Sequence, residues 1–480
     1  MAFENLQPKE VFHFFEEICS IPHGSGNLQK ISDYLVSFAK ERGLEYIQDS
    51  ELNVIIKAPG STGYEDREPV ILQGHMDMVA VKNEDADIDM TKEGLKTRTD
   101  GEYVWAEGTS LGGDDGIAVA YCLALLDSKD IPHPPLEVVI TTNEETGMYG
   151  AAAIDLSPLK GRKMINIDNE EEGVFIVSCA GGARVYSELQ VTRADVNAEK
   201  VRVDVSGLLG GHSGEMIICG RGNANIILAR TLLEALDKAK FNLVEISGGV
   251  ADNAIPSGAT ASVLVSKENL EAFKESVAET LSDIRGELGQ KDPDLDIKVT
   301  GLGTDTASAM EDEDTRKILS LICAFPDGVQ AMMAEPAGLV ETSLNLGIVK
   351  TEGDKVTIEQ SVRSSVESSK NYLIKKLCTI SGNVGGQVTV SGSYPGWKFK
   401  EDSPLRDHMV KVYTEMYGRS PKVEAIHAGL ECGLLSDKLP GLDCISIGPD
   451  MQDIHSPKER LSVKSTANVW EYLKKVLNRC

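Results

Sequence analysis

Five short segments of the chain carry side chains that bind cations or transfer protons. They are Gly74-His75-Met76-Asp77, Leu111–Gly116, Thr142–Gly147, Ile167-Asp168-Asn169 and Asp453–Ser456. In each segment a polar residue follows an apolar run or lies in a glycine-rich turn. Imidazole and carboxylate groups together suit zinc, with manganese and cobalt as alternatives. Each segment alone also fits an ordinary turn or a solvated loop, so only the combination indicates a metal site.

The spacing within these segments limits what each side chain can do. His75 and Asp77 are two residues apart, so in a strand they point to the same face and the Asp can orient the His. Glu144 and Glu145 are adjacent and cannot both face one point in a regular strand. At a turn, one could bind a metal while the other reaches a bound water. Three inner carboxylates and a hydroxide would balance the charge of two divalent cations, which favours a dinuclear site.

Composition and charge exclude several classes of partner. The chain has 480 residues, of which 41% are hydrophobic and 26% charged, a balance typical of a globular protein. At about 100–200 residues per domain, this length predicts two to four domains. The formal net charge of −27, from 48 Lys+Arg and 75 Asp+Glu, disfavours binding to nucleic acid or to an anionic membrane surface.

The sequence also predicts a cytoplasmic location. The first twenty residues interleave acidic and apolar side chains, without the basic start and apolar stretch of a signal peptide. No apolar run approaches the roughly 18 residues of a membrane span. The nine cysteines are scattered and none forms a CxxC pair, which favours reduced thiols over a disulfide framework or a zinc ribbon.

Strands and helices alternate in the first part of the chain. Helices are predicted at Lys9–Cys19 and Leu28–Arg42, the second from its helical period of apolar residues. The predicted strands are Asn53–Ala58, Val70–Gly74, Leu136–Thr141 and Met164–Ile167. They are apolar on both faces, which is typical of a buried, mostly parallel sheet. Polar residues after such strands gather at one edge of the sheet, where α/β proteins bind ligands.

The middle of the chain has a different pattern. Between residues 185 and 390, the order is strand, helix, strand, strand, helix, strand, and a similar but weaker order recurs from Thr315 onward. The α/β pattern returns from about residue 391. The sequence therefore predicts an α/β catalytic domain formed by residues 1–184 and 391–480. An inserted α+β domain at residues 185–390 interrupts it. This domain has the element order βαββαβ, either once or, if the weaker repeat is counted, twice.

Together these segments resemble a family of zinc peptidases. The strings LGGDDG, TTNEETGMYGA, GGHSG, HAGLECG and DIHSP, in this order, resemble the superfamily that includes carnosinases, aminoacylases and glutamate carboxypeptidases. Within it they are similar to the aminoacyl-histidine dipeptidases, also called Xaa-His or cytosol non-specific dipeptidases. The resemblance implies metal-dependent hydrolysis of dipeptides with a free N-terminus, of the Xaa-His type and in a range that can be broader. It also implies that the inserted domain is a lid that recognises the substrate.

The resemblance assigns a role to each residue of the five segments. It implies two divalent ions, zinc or else manganese or cobalt, no other cofactor, and attack by a metal-bridging hydroxide. The implied roles are Asp114 bridging both metals, His75 and Asp168 on one metal, Glu145 and His455 on the other, Glu144 as general base, and Asp77 as the partner that orients His75. The presence of Asp rather than Glu at position 168 resembles the aminopeptidase and dipeptidase branch of the superfamily. The resemblance also implies a cis peptide bond after Asp114.

Other residues are assigned to the substrate by the same resemblance. His212 resembles the lid histidine that stabilises the tetrahedral oxyanion, and Asn253 resembles an Asn that contacts polar substrate groups. Arg363 resembles the arginine that grips the substrate carboxylate, for which a guanidinium fork is suited. Ala428, Gly429 and Glu431 lie in a loop that resembles the substrate-binding turn. Each also fits a loop or surface position when taken alone, and the role of His427 stays open.

Several alternatives remain at this point. An aminoacylase or carboxypeptidase of the same superfamily would use the same metals, and only a substrate panel would separate it from a dipeptidase. The βαββαβ insertion argues against a metallo-aminopeptidase. A non-catalytic relative would be expected to lose the base or a ligand, yet every expected position is occupied. The predicted partner is a small peptide, and the chain can be a monomer or a homodimer, with His212 acting within one chain or across subunits.

Overall fold

The chain folds into two compact units. The computed structural model describes residues 2–334 and 338–480. Unit 1 comprises Met1–Ser178, Phe399–Ala425 and Leu430–Cys480, and unit 2 comprises Cys179–Lys398 and Ile426–Gly429. The domain boundaries placed after residues 184 and 390 stay a prediction from sequence.

The first part of unit 1 alternates short strands with helices. Its helices are α1 (Lys9–Cys19), α2 (Gln29–Glu41), α3 (Gly113–Asp127) and α4 (Tyr149–Ala153). Its strands are β1 (Glu45–Gln48), β2 (Val54–Ala58), β3 (Val70–His75), β4 (Thr97–Thr99), β5 (Tyr103–Ala106), β6 (Leu136–Thr141), β7 (Lys163–Asn166) and β8 (Val174–Cys179).

The described residues of unit 2 form eleven strands, two of which are only two residues long, and four α-helices. Its strands are β9 (Gly181–Gln190), β10 (Arg193–Ser206), β11 (Gly211–His212), β12 (Phe241–Gly248), β13 (Ala254–Ile255), β14 (Ala259–Val265), β15 (Asp296–Met310), β16 (Gly328–Met332), β17 (Val340–Glu352), β18 (Lys355–Ser364) and β19 (Gln387–Tyr394). Its helices are α5 (Ala224–Lys238), α6 (Leu270–Leu288), α7 (Asp312–Ala324) and α8 (Glu367–Asn383).

The chain then returns to unit 1 and completes its sheet. The returning elements are α9 (Pro404–Tyr417), β20 (Lys422–Ile426), α10 (Glu431–Lys438), β21 (Asp443–Ser446), β22 (Met451–Gln452), β23 (Arg460–Ser462) and α11 (Val463–Arg479). The eight-stranded sheet has the order β1-β2-β6-β3-β7-β21-β8-β20. Its four central strands β6, β3, β7 and β21 are parallel, whereas β1, β2 and β8 pair antiparallel. The α/β class predicted from the sequence is confirmed.

Burial of apolar residues on both faces of this sheet explains why the strands form it. Every residue of β3, β6 and β21 is buried, as expected for central parallel strands covered by helices. Trp470 of α11 stacks on Tyr121 of α3 with ring centroids 6.0 Å apart, and its indole N–H donates to Glu10 of α1 at 2.9 Å. Among the helices of the described residues, none combines the length and the apolar content needed to cross a membrane.

The sheet of unit 2 contains two copies of one topology. The strand order β15-β10-β14-β12-β17-β18-β9-β19 has β12 and β17 meeting at its centre. Numbered along the chain, β10, β12, β14 and β15 form one half with the order 4-1-3-2, and β9, β17, β18 and β19 form the other with the same order. Strand β9 precedes the first copy, so local pattern cannot assign it to the second copy. The role of this unit as a lid stays a prediction.

Candidate metal centre

Three of the predicted ligand segments follow neighbouring parallel strands. Strand β3 ends at His75, and β6 ends at Thr141, which pairs with His75 in the register of the two strands. Strand β7 pairs with the other side of β3 and ends two residues before Asp168. Because parallel strands end at the same edge of a sheet, His75, the Glu144-Glu145 turn and Asp168 come together there.

The other two segments reach this edge through irregular backbone. Asp114 lies at a non-helical kink in the first turn of α3, with φ −83° and ψ 104°, and the peptide bond between Asp114 and Asp115 is cis. His455 lies in the loop after β22 and has a left-handed backbone conformation with φ +58°. His is one of the few non-glycine residue types that adopt this conformation with some frequency, often at functional sites.

The carboxylate of Asp114 lies between two imidazoles. Its Oδ1 is 3.1 Å from Nε2 of His75, and its Oδ2 is 3.0 Å from Nε2 of His455. Nε2 of His75 also lies 3.6 Å from Oδ1 of Asp168, and Nε2 of His455 lies 2.9 Å from Oε1 of Glu145. The five side chains therefore form two groups of three that share Asp114.

Asp115 is close to the same site but has a different position. Its ligand atoms lie within 4.8 Å of those of His75 and Asp168. However, its Oδ2 accepts a hydrogen bond from the backbone N–H of His75 at 3.2 Å, and burial raises the pKa of its carboxyl group well above the usual value. A Cβ atom on Gly74 would lie 2.5 Å from this Oδ2. Asp115 therefore supports the end of β3, and glycine before His75 makes room for it.

Asp77 connects the ligand strand with the Glu144-Glu145 turn. Its Oδ1 lies 3.5 Å from Nδ1 of His75 and accepts the N–H of Glu144 at 3.1 Å. Its Oδ2 accepts the hydroxyl of Ser25 at 2.8 Å and the N–H of Glu145 at 3.4 Å. Burial opposes ionisation, but the hydrogen bond with His75 and the other donors lower the pKa of Asp77. An ionised Asp77 holds both the imidazole and the turn in place.

The electrostatics of the site favour positive charge. Burial alone would lower the pKa of His75, but its contacts with Asp114, Asp168 and Asp77 raise it well above the usual value. Hydrogen bonds with Asp114 and Glu145 raise the pKa of His455 to about 10. Burial raises the pKa of Asp168 to about 6. Carboxylates crowded at one place stabilise any cation there, and the mixed imidazole and carboxylate donors suit divalent transition metals.

Glu144 differs from its neighbour Glu145. Burial, together with the charges of Asp168, Glu431 and Glu145, raises the pKa of Glu144 well above the usual value, and His75 opposes this shift only in part. By contrast, Oε1 of Glu145 lies directly against the imidazole of His455. Glu144 is half-buried, and a carboxyl group whose protonated form is favoured is suited to proton transfer.

Two of the residues assigned to the substrate, Arg363 and His212, lie in unit 2 together with His427. Arg363 of β18 pairs directly with Ser343 of β17, and the hydroxyl of Ser343 lies 2.7 Å from Nε2 of His427. Burial, followed by the charge of Arg363, lowers the pKa of His427 to about 4 and also lowers that of His212. Nε of Arg363 and Nδ1 of His212 are buried without a hydrogen-bond partner among the described residues. This arrangement offers unused hydrogen-bonding groups beside a positive charge.

Of the other residues assigned to the substrate, Asn253 and Ala428 make backbone hydrogen bonds, and Gly429 packs closely against a neighbouring ring. The carbonyl of Asn253 accepts from Ser213 at 2.8 Å, and that of Ala428 accepts from Ala180 at 3.0 Å, both within unit 2. A Cβ atom on Gly429 would lie 2.9 Å from the ring of Tyr394. Their contacts with a substrate, like the roles of the other site residues, stay predictions.

Glu431 lies in unit 1 and is fully buried. Its Oε2 accepts from Gln73 at 2.6 Å and from the hydroxyl of Thr141 at 2.5 Å, whereas Oε1 has no partner among the described residues. The carboxyl group thus links β3 to β6 beneath the site. With no exposed surface in this structure, its predicted contact with a substrate would require a movement.

Three residues near the centre were not predicted. Ser25 donates a hydrogen bond to Asp77, and Asp115 accepts one from the backbone of His75; no sequence pattern predicts either contact. Glu170 lies two residues after Asp168 in the chain. Partial desolvation of its carboxyl group and the charges of Asp114 and Asp168 raise the pKa of Glu170 to about 7, although the residue as a whole is exposed. Its proximity to the catalytic segments in the chain is the only signal that could have found it.

Comparison with known proteins identifies similar sequences and structures. A family profile described as peptidase family M20/M25/M40 matches residues 71–479. The cytosol non-specific dipeptidase of Escherichia coli (strain K12) is 37% identical over 475 residues, which cover 98% of both chains. The crystal structure of aminoacylhistidine dipeptidase from Vibrio alginolyticus matches with a TM-score of 0.96 and 37% identity, covering 100% of this chain and 98% of that one. Aminopeptidase PepT from Bacillus cereus ATCC 10987, at 16% identity and a TM-score of 0.56 over 98% of both chains, shares the fold.

Replacing Glu431 by Gln should change how stability depends on pH. Burial raises the pKa of Glu431 from the usual 4.5 to about 8. Between these values the folded protein keeps a proton that the unfolded chain has lost, so stability falls as pH rises, by at most about 1.4 kcal/mol per pH unit. Glu431→Gln cannot lose this proton. Urea unfolding of metal-stripped protein from pH 5 to 8.5 should give a shallower decline for the variant than for the wild type. Parallel profiles would contradict this assignment.

Proposed function

The chain belongs to peptidase family M20/M25/M40 and is a metallopeptidase, and we propose that it hydrolyses dipeptides at the centre formed around Asp114. One observation carries this proposal: the two oxygens of Asp114 lie 3.1 and 3.0 Å from Nε2 of His75 and His455. A carboxylate with one oxygen toward each of two imidazoles would be able to share in holding two cations, one with each imidazole. The proposed ligands are His75, Asp114 and Asp168 for one metal, and Asp114, Glu145 and His455 for the other.

The dipeptide class is supported by the two relatives of 37% identity. Their names describe a cytosol non-specific dipeptidase and an aminoacylhistidine dipeptidase, and the match extends over nearly the whole of each chain. We therefore propose dipeptides with a free N-terminus as substrates, with Xaa-His dipeptides among them, and a cytoplasmic location for the enzyme. The substrate is a small molecule, which agrees with the acidic composition of the chain.

Zinc is the metal we propose for both positions. Two imidazoles and three carboxylates are a donor set that zinc accepts, and manganese and cobalt can use the same set. Bound divalent ions would supply an acidified water and a polarised scissile carbonyl group. The raised pKa values of His75 and His455 support this fit, because they mean that the surrounding carboxylates stabilise positive charge at these two positions.

Glu144 is the proposed general base. Its carboxylate would accept the proton of the attacking water and then deliver it to the leaving amine of the cleaved dipeptide. Asp77 supports this role because it holds the N–H of Glu144 at 3.1 Å and the imidazole of His75 through the same carboxylate. The position of the base and that of a ligand are thereby held by one side chain.

Within unit 2, we propose that Arg363 binds the carboxylate of the substrate. A guanidinium group with an unused Nε–H is suited to a planar anion. The low pKa of His427 and of His212 keeps both imidazoles neutral near neutral pH, so they can donate a hydrogen bond without adding a second charge. The role of His212 at the oxyanion stays a prediction from the resemblance.

Chelation followed by stepwise return of zinc tests the proposed function. The full-length protein should lose hydrolysis of a panel of free dipeptides when metal is removed, and activity should return and saturate at about two zinc equivalents per chain, the number for a two-metal site. N-acyl amino acids in the same assay separate this enzyme from an aminoacylase. Activity that is indifferent to chelation, or confined to N-acyl substrates, would contradict the proposal.

Replacing Glu144 by Gln should separate catalysis from metal binding. The variant keeps the shape of the side chain but cannot accept a proton, so dipeptide turnover should fall by about 100-fold or more, in the range of lost acid–base catalysis. Its zinc content, measured by elemental analysis, should equal that of the wild type. Glu145→Gln is the matched control and should lose metal together with activity. If Glu144→Gln also lost metal, Glu144 would be a ligand.

A further inference from the structure

Glu459 binds the loop that presents Asp114. Its side chain is 3% exposed and accepts hydrogen bonds from four consecutive backbone N–H groups. Oε2 accepts from Leu111 at 2.7 Å and Gly112 at 3.1 Å. Oε1 accepts from Gly113 at 2.7 Å and, more weakly, from Asp114 at 3.4 Å.

The two glycines of the loop allow the backbone to approach the carboxylate of Glu459 closely. Gly112 has φ +70°, a conformation that turns successive N–H groups toward one point and favours glycine. A Cβ atom on Gly113 would lie 3.2 Å from Oε1 of Glu459. These amides lie at the N-terminus of α3, whose first N–H groups have no partner within the helix and favour an anion. The Leu-Gly-Gly-Asp string is therefore a binding loop for the carboxylate of Glu459.

Glu459 also belongs to the segment that presents His455, four residues earlier in the chain. His455 and Asp114 are 341 residues apart in the sequence, yet Nε2 of His455 lies 3.0 Å from Oδ2 of Asp114. The carboxylate of Glu459 joins the same two segments by its four hydrogen bonds. A shift of one segment relative to the other would change the separation of these two side chains.

We propose that Glu459 is a positioning residue that sets the separation between Asp114 and His455 and thereby the affinity of the centre for its metals. This inference rests on the proposed function, because it takes these two side chains as metal ligands. A buried carboxylate on backbone amides can also serve stability alone. Glu137 is such a group: it is 4% exposed and accepts from Lys160 and Gly161 at 2.9 Å each, at the opposite, N-terminal end of the central strands.

The pair Glu459→Gln and Glu137→Gln separates positioning from stability. Gln places an NH₂ group against two backbone N–H donors in Glu459→Gln and against at least one in Glu137→Gln, so both variants should lower the melting temperature of the metal-free full-length protein. Zinc affinity, measured by competition with a chromophoric chelator, should fall by about 10–100-fold in Glu459→Gln, the range found when partners of metal ligands are removed. It should be unchanged in Glu137→Gln. If Glu459→Gln does not fold, Glu459→Asp, which keeps the charge but shortens the reach, should show the loss of affinity.

Two outcomes would overturn the inference. Either wild-type zinc affinity in the folded Glu459 variant, or an equal loss of affinity in Glu137→Gln, would show that Glu459 serves stability only. A wild-type protein that binds no zinc would instead contradict the proposed function. The two failures are therefore distinguishable in one titration.

Discussion

The structure depends on bringing several carboxylates and two imidazoles into contact at one edge of the central sheet. Like charges repel, and burial disfavours ionised groups, so Asp114, Asp168 and Glu145 can be adjacent only where positive charge compensates them. In the protein alone, this compensation takes the form of raised pKa values at His75 and His455. Two divalent cations would supply it more fully. The parallel strands, the kink at Asp114 and the loop of His455 all serve to hold these charges at contact distance.

The two proposed metal positions differ in their access to solvent. The side chain of His75 is 1% exposed and is held by Asp77, whereas that of His455 is 44% exposed and lies in a loop. The first position is therefore built on a central strand of the sheet. The second includes His455, whose segment Glu459 joins to the loop of Asp114 by hydrogen bonds.

Much of the fold and of the candidate site could be predicted from the sequence. Helix α1 is predicted at its observed bounds, and α2 to within one residue at each end, because the period of apolar residues along a helix is a local signal. Apolar strands that are each followed by a polar residue predict that these polar residues lie at one edge of the sheet, and the ligand candidates lie together there. Other features were out of reach. The pairing of β9 with the second repeat, and the contacts of Asp115 and Glu459 with backbone N–H groups, depend on segments far apart in the chain, and a backbone donor leaves no trace in residue type.

Anomalous diffraction at the zinc absorption edge, from crystals of the zinc-loaded protein, would locate the metals relative to Asp114. The proposed two-metal centre predicts two peaks, one near each oxygen of Asp114, with His75 on one metal and His455 on the other. A single peak, or two peaks away from Asp114, would contradict it.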